Sequence, residues 1–410
     1  MGAEKHIVDE RLTIVMISMH TSPLAQPGQG DAGGMNVYIR NLTNALIRAG
    51  HQVLCFTRKT SAADVPVILD DQTNSKLIPV VAGRLTLPKE ALVELTTQFA
   101  QALLPIIREE AHARVVIHSH YWLSGVVALE VSDSLNCPVV HTMHTLGAAK
   151  NASAPGTEPG YRLEREARIA LNADALTANT IVEKQELLHH TGVSTTKVTV
   201  VHPGVDHEVF RPDADSLWPG RSTLPGPRIL FAGRFQHFKG PHVLIDALAS
   251  LRNRGWTTLP VVHFTGASSG SAHYDLRARA HLVGVAQYCS FSDPVTPLEL
   301  ASIMRAADAV TMPSVAETFG LVALEAQACG TPVIAHRAGG LATAVIDQHT
   351  GLLIDSLNPS DWADAMGSLI KQPELWRARG FAGVEHAAKF SWTAMAQQMT
   401  QIYRRTFSRG

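Results

Sequence analysis

Short apolar runs with little alternation recur along this 410-residue chain, each followed by a loop and then a helix-forming stretch. Residues 11–19, Arg-Leu-Thr-Ile-Val-Met-Ile-Ser-Met, are the first such run, a pattern that suits a parallel strand covered on both faces. Comparable runs at 52–57, 76–81, 114–118, 139–143, 175–180 and 197–201 form one block. A polar, proline-rich segment at 211–227 separates them from a second block at 228–231, 261–265, 288–291, 309–312, 331–335 and 352–354. Strand-helix alternation in two blocks predicts an α/β chain of two doubly wound domains facing across a polar cleft. The expected boundaries are 1–206 and 207–390, with a last helix from Ser391.

Composition narrows the function classes. With 45% hydrophobic and 17% charged residues and a net charge of -1, the chain can fill two cores and offers no basic surface for nucleic acid. No run of about 18 apolar residues and no leader pattern appear, which predicts a cytoplasmic protein without membrane insertion. Cys55, Cys137, Cys289 and Cys329 are far apart among apolar or small neighbours and read as reduced interior residues. Twenty histidines are present without a ligand pattern such as H-E-x-x-H.

Three stretches carry chemistry. Pro313-Ser-Val-Ala-Glu-Thr-Phe-Gly-Leu-Val-Ala-Leu-Glu325 reads as strand end, tight loop and helix start. Its free N–H groups would hold a diphosphate, while Glu317 and Glu325 take sugar hydroxyls. Gly233-Arg-Phe-Gln-His-Phe-Lys-Gly240 sets Arg234 and Lys239 beside a second helix start, two cations with glycine on either side. Gly28, Gly30, Gly33 and Gly34 follow the first strand and permit close approach of backbone to ligand. His120 and His144-Thr145 stand at strand carboxyl ends, where His120 could carry a proton or donate a hydrogen bond at neutral pH, or simply be a satisfied histidine under a loop. Lys89 opens a helix expected over 89–108, an unfavourable place for a cation unless it meets a phosphate. Residues 151–160 read as a loop, and the next helix carries Arg162 and Glu166 at a spacing that ordinarily gives a surface ion pair.

These parts suit transfer of a sugar from a nucleotide diphosphate. Fixed cations at the β-phosphate stabilise charge that grows as the glycosidic bond breaks. No acidic residue stands out as nucleophile or base, and a retaining front-side reaction, with the leaving phosphate taking the acceptor's proton, is a hypothesis that needs none. The chain lacks a G-x-x-x-x-G-K-[ST] loop and a G-x-S-x-G elbow. A binding protein of the same fold and a pyridoxal-phosphate phosphorylase are the other classes that fit.

Gly33-Gly34-Met35-Asn36-Val37-Tyr38, Gly233-Arg234 with Lys239-Gly240, and Glu317-x7-Glu325 together resemble the retaining glycosyltransferases of family 4, which have the GT-B fold. The resemblance implies donor contacts from Gly33, Gly34, Arg234, Lys239, Val295, Glu317, Thr318, Phe319, Gly320, Leu321 and Glu325, with His120 beside the transferred sugar. It also implies that the last helix crosses back onto the first domain. Within the family, Ser18-Met-His-Thr-Ser-Pro23, Gly30-Asp-Ala-Gly-Gly-Met-Asn-Val-Tyr38 and Ser119-His-Tyr-Trp-Leu-Ser-Gly125 are similar to the enzymes that begin mycothiol synthesis by moving N-acetylglucosamine from UDP to inositol phosphate. By that likeness the acceptor would meet His20, Asp31, Asn36, Lys89, Tyr121, Thr145 and Arg162. Magnesium would be peripheral, with no catalytic metal and no other cofactor. The partners would be the donor and a small polar acceptor, and a homodimer is left open.

Val295 stands where those enzymes usually carry arginine beside the base, and residues 85–88 and 151–160 also depart from them. A natural-product paralogue with a GDP-sugar donor and a non-inositol acceptor, such as one joining a GDP-octose to ergothioneine, shares the resemblance.

Overall fold

The computed structural model describes residues 11–28, 32–153, 156–219, 224–268 and 274–408. The chain forms two compact units, one of Met1–Leu24, Met35–Val201 and Thr393–Gly410, the other of Ala25–Gly34 and His202–Trp392.

In the first unit the strands are β1 (Leu12–Ile17), β2 (Gln52–Arg58), β3 (Val67–Asp70), β4 (Ser75–Val80), β5 (Arg114–His120), β6 (Val139–Thr142), β7 (Ala175–Ala178) and β8 (Val198–Val200). They lie in the order β3-β4-β2-β1-β5-β6-β7-β8, parallel except for the antiparallel pair β3–β4. β1 and β2 are buried along their whole length, as unbroken apolar runs require. The order turns outward from β1, whose neighbours are β2 and β5, so the topological switch point lies at their carboxyl ends, where open sheets take ligands.

The last helix, Trp392–Thr406, docks on this unit through side chains. The Thr400 hydroxyl lies 3.1 Å from His51 Nε2, the Tyr403 hydroxyl 2.8 Å from His118 Nδ1, and the Arg114 guanidinium sits 4.0 Å over the Phe407 ring.

The second unit carries β9 (Arg228–Ala232), β10 (Val261–Thr265), β11 (Cys289–Ser292), β12 (Ala309–Met312), β13 (Val333–His336) and β14 (Gly351–Ile354). These six form an all-parallel sheet in the order β11-β10-β9-β12-β13-β14, with its switch point between β9 and β12. Its core includes Leu244, Phe264, Ile334 and Trp362 under one set of helices, and Met304, Val310, Leu324 and Val345 under the other. Both units are Rossmann-like, and the fold is GT-B.

Several local expectations change. The first part of the 89–108 stretch is a 3-10 turn, Lys89–Leu95, before the α-helix Thr96–Glu110. Helix Gly147–Ser153 takes up the start of the expected 151–160 loop. Helix Ile181–Thr191, absent from the sequence reading, is capped by the Thr180 hydroxyl accepting from Glu183 N–H and closed by left-handed Gly192. All four cysteines are buried and free, and burial pushes their thiols up, Cys55, Cys289 and Cys329 to about 12 and Cys137 to about 11.

Candidate active site

At the switch point of the second unit two loops interlock. The loop after β9 ends at Gly240, in the left-handed region at φ 67°, and a Cβ there would lie 2.1 Å from the Pro313 carbonyl oxygen in the loop after β12. Val315 N–H donates to the Phe238 carbonyl at 2.8 Å, and Lys239 Nζ donates to Glu317 Oε2 at 2.6 Å. From the far side Gly340 N–H donates to the Glu317 carbonyl at 2.7 Å, and a Cβ on Gly339 would lie 2.2 Å from that same oxygen. Small residues on both flanks let three loops share this space.

Two helices start here, Pro241–Asn253 after Gly240 and Leu321–Ala328 after Gly320. Neither has a side-chain cap, since glycine stands at each cap position. No N-cap side chain therefore neutralises the positive dipole end of either helix. Arg234 is half-buried in the same loop, and among the described residues its guanidinium has no hydrogen-bond or ion-pair partner. The arrangement offers an anion two cations, one of them already shared with a carboxylate.

Ala25–Gly34 belongs with this unit. Gln26 Nε2 donates to the Val295 carbonyl at 3.0 Å, and a Cβ on Gly33 would stand 3.9 Å from Arg234 Nε.

The first unit gathers a different group. Tyr121 opens the helix Tyr121–Leu135 in the left-handed region at φ 70°, a rare place for a bulky side chain. Two cations lie over its ring, Lys89 Nζ at 4.6 Å and the Arg162 guanidinium at 4.9 Å. The His20 ring packs against it at 4.6 Å, and His20 Nδ1 is buried with no partner among the described residues. Burial, then Lys89, His144 and Arg162, hold His20 well below the usual imidazole range, so it stays neutral. Asn36 is buried and ties down the turn after β1, donating to the Thr21 hydroxyl at 2.8 Å and the Ser22 carbonyl at 2.6 Å.

Arg162 is the hub of this group and is only 2% exposed. Nε donates to Glu166 at 2.7 Å, Nη1 meets Glu158 at 2.7 Å, and Nη2 donates to both the carbonyl and the hydroxyl of Thr145 at 3.1 Å. Glu166 also accepts from Gly147 N–H at 2.8 Å, which stitches the turn after β6 to the helix Gly160–Asn172.

Behind Tyr121 four histidines share a buried layer. His120 Nδ1 lies 2.9 Å from His144 Nε2, and its Nε2 lies 2.7 Å from Met16 Sδ. His118 packs at a tilt against His120, with ring centroids 4.2 Å apart, and reaches Thr142, while His141 bonds the Ser119 hydroxyl.

A model of the group 1 glycosyl transferases matches residues 219–383, and the Glycosyltransferase Family 4 model matches residues 32–209. The D-inositol 3-phosphate glycosyltransferase of Paenarthrobacter aurescens is 42% identical over 405 residues, covering 96% of this chain and 98% of that protein. The chain belongs to glycosyltransferase family 4. The corresponding enzyme of Corynebacterium jeikeium is 43% identical over 408 residues, with 96% of each chain covered. Among solved structures, sucrose-phosphate synthase from Thermosynechococcus elongatus superposes with a TM-score of 0.86 at 32% identity, covering 98% of this chain and 100% of that one. An Anabaena protein solved in complex with UDP-glucose shares the fold at a TM-score of 0.72 and 19% identity, with 97% and 100% covered.

The structure brings this family 4 chain's expected residues into two groups. Lys239, Glu317, Thr318, Gly320, Leu321 and Glu325 lie on or beside the interlocked loops of the second unit; His20, Lys89, Tyr121, Arg162 and Thr145 are linked by contacts in the first, with Asn36 holding the turn next to His20. Asp31 lies outside the described residues. Phe319 turns into the core, 4% exposed and against the rings of His202 and Phe390, so any ligand contact there falls to its backbone.

Two expectations are corrected. Of the roles expected for His120, that of proton carrier at neutral pH is disfavoured: burial first, then His118, His144 and His141, hold it well below the usual imidazole range, and His144 and Met16 engage both ring nitrogens, as in a satisfied buried histidine. Arg162 and Glu166 form a buried pair, because the helix that carries them packs beneath the Tyr121 helix. Glu158 was missed, although its place four residues before Arg162 was a readable signal.

Among the described residues no group of three or more His, Cys, Asp or Glu side chains is set to hold a metal ion, and no helix is long and apolar enough to cross a membrane.

Proposed function

We propose that this chain transfers a sugar from a nucleotide-diphosphate donor to a small polar acceptor with retention of configuration. N-acetylglucosamine from UDP and 1D-myo-inositol 3-phosphate are the leading pair. The relatives' name supports the acceptor, and the grouping of Lys89, Tyr121, Thr145, His20 and Asn36 supports a small anionic polyol there. The observation that carries the reading is the half-buried Arg234 guanidinium, without a protein anion among the described residues, in the same loop as Lys239 and next to an uncapped helix start.

A donor diphosphate would take up Arg234 and compete with Glu317 for Lys239. Released from the lysine, the Glu317 carboxylate would accept a sugar hydroxyl. As the bond from C1 to the diphosphate oxygen breaks, negative charge grows on the β-phosphate, where two fixed cations and N–H groups stabilise the transition state more than the ground state. The acceptor hydroxyl oxygen bonds to C1 on the face the diphosphate leaves, and its proton passes to the leaving phosphate oxygen. No titrating protein base is needed, which agrees with a neutral, buried His120.

A second reading, with a GDP-sugar donor and a non-inositol acceptor, is favoured by the hold of Glu158 on Arg162 and by the apolar side chain at Val295. Incubating the purified chain with UDP-N-acetylglucosamine and inositol 3-phosphate, with mass and anomeric configuration of the product read by spectrometry and NMR, tests the first. An α-linked product supports it; absence of transfer, with turnover of a GDP-sugar instead, supports the second.

A further inference from the structure

Beside Tyr121 the chain sets one of its own carboxylates on Arg162, one of the two cations over the ring. The Glu158 carboxylate spans two cations, one oxygen 2.8 Å from Lys150 Nζ and the other 2.7 Å from Arg162 Nη1. Its backbone is held on both sides by Asn151, which donates to the Glu158 carbonyl at 2.9 Å and accepts from its N–H at 2.8 Å. The Glu158 side chain is 15% exposed, so solvent screens this contact little.

Arg162 has five N–H groups, and Glu166, Glu158 and the two Thr145 oxygens already occupy four of them. It cannot grip a phosphate with a two-pronged fork while Glu158 stays. Lys89 is the other cation on the ring, and no carboxylate pairs with it among the described residues. Charges near the ring are therefore Lys89, Lys150 and Arg162 against Glu158 and Glu166, a net of one positive charge with His20 neutral.

We propose that Glu158 is a specificity-determining residue that competes with the acceptor's acid group for Arg162, and so discriminates against a doubly charged phosphate more than against a singly charged acid. The inference rests on the reading of the Tyr121 group as the acceptor side. It extends that reading by assigning the charge preference to a residue that touches the acceptor's cation.

Equilibrium titration of the full chain tests this without turnover. The probes are methyl phosphate, a dianion at about pH 8 since its second pKa is about 6, and dimethyl phosphate, which stays singly charged. Removing one unit charge at hydrogen-bond range should make Glu158→Gln bind methyl phosphate about tenfold tighter than wild type, and dimethyl phosphate only about two- to threefold tighter. Asn151→Ala, which frees the Glu158 backbone, should shift both in the same direction and serves if Glu158→Gln does not fold. Methyl phosphate bound no tighter by either variant, an equal gain for both probes, or binding to none of the proteins would overturn the proposal. A tightened site on a chain that transfers no sugar would instead contradict the function, and Glu158 would then compete for an anion at Arg162 that is not an acceptor.

Discussion

Lys239 and Glu317 stand 78 residues apart in the chain and meet at 2.6 Å, each in the loop that follows a strand flanking the switch point of the second unit. Both are partly exposed, at 27% and 17%, so the pair stays open to exchange with an incoming anion. Lys239→Ala should lower kcat for sugar transfer by about 10²-fold, because it removes a charge-assisted contact that strengthens as the diphosphate leaves. Steady-state kinetics check this; an unchanged kcat would remove Lys239 from the chemistry.

Lys89→Ala should raise KM for the acceptor by about tenfold or more and leave donor KM within about twofold, since Lys89 is the cation over Tyr121 free of a carboxylate among the described residues. Varying each substrate against saturating partner separates the two. Equal rises in both constants would contradict the assignment.

Gly240→Ala should cost more than about 1 kcal/mol, since it combines a strained φ with a collision against a backbone carbonyl. Denaturant unfolding, read with donor binding, should show both falling together. Gly255 has a similar φ of 79° and open space, so Gly255→Ala controls for the dihedral alone.

Stability should fall on both sides of about pH 6.5. On the acid side burial pushes His141 and His144 down to about 3, and holds His20, His118 and His120 well below the usual range. The unfolded chain then binds more protons than the native one below about pH 6.5, and each group removes about 1.4 kcal/mol per pH unit as the pH falls through that window. Above that value the histidines no longer contribute a slope and Glu183 does: burial pushes it up to about 8, so its native carboxyl keeps a proton that the unfolded chain loses above about 4.5. That contribution is complete below the unfolded value and is lost as pH rises through about 8. Glu183→Gln should flatten the decline between about pH 6.5 and 8 and leave a decline below about 6.5, as followed by urea unfolding across pH.

Much of this architecture was readable because parallel strands covered on both faces are written as unbroken apolar runs; the stretch 309–312 and the helix 297–306 coincide with their observed counterparts. β3 was not, since Val-Ile-Leu-Asp at a half-exposed edge lacks that signature. The helix Ile181–Thr191 was missed because it has little amphipathic pattern, its start resting on the Thr180 cap. The anion-binding look of the loops around Gly240 and Gly320 was visible from glycine next to basic residues. Their interlock was not, because Lys239 with Glu317 and Gly339 with the Glu317 carbonyl depend on the sheet order β9-β12-β13. The burial of His120 and of Arg162 likewise follows from what packs above them, which spacing along the chain does not encode.

Calorimetric titration with UDP, UDP-N-acetylglucosamine and GDP, on wild type and on Arg234→Ala/Lys239→Ala, bears most directly on the claim that these two side chains hold a donor diphosphate. The account predicts saturable binding of a nucleoside diphosphate by wild type and a loss of about 100-fold or more in the double variant. Binding of equal strength in both proteins, or none to either, would contradict it.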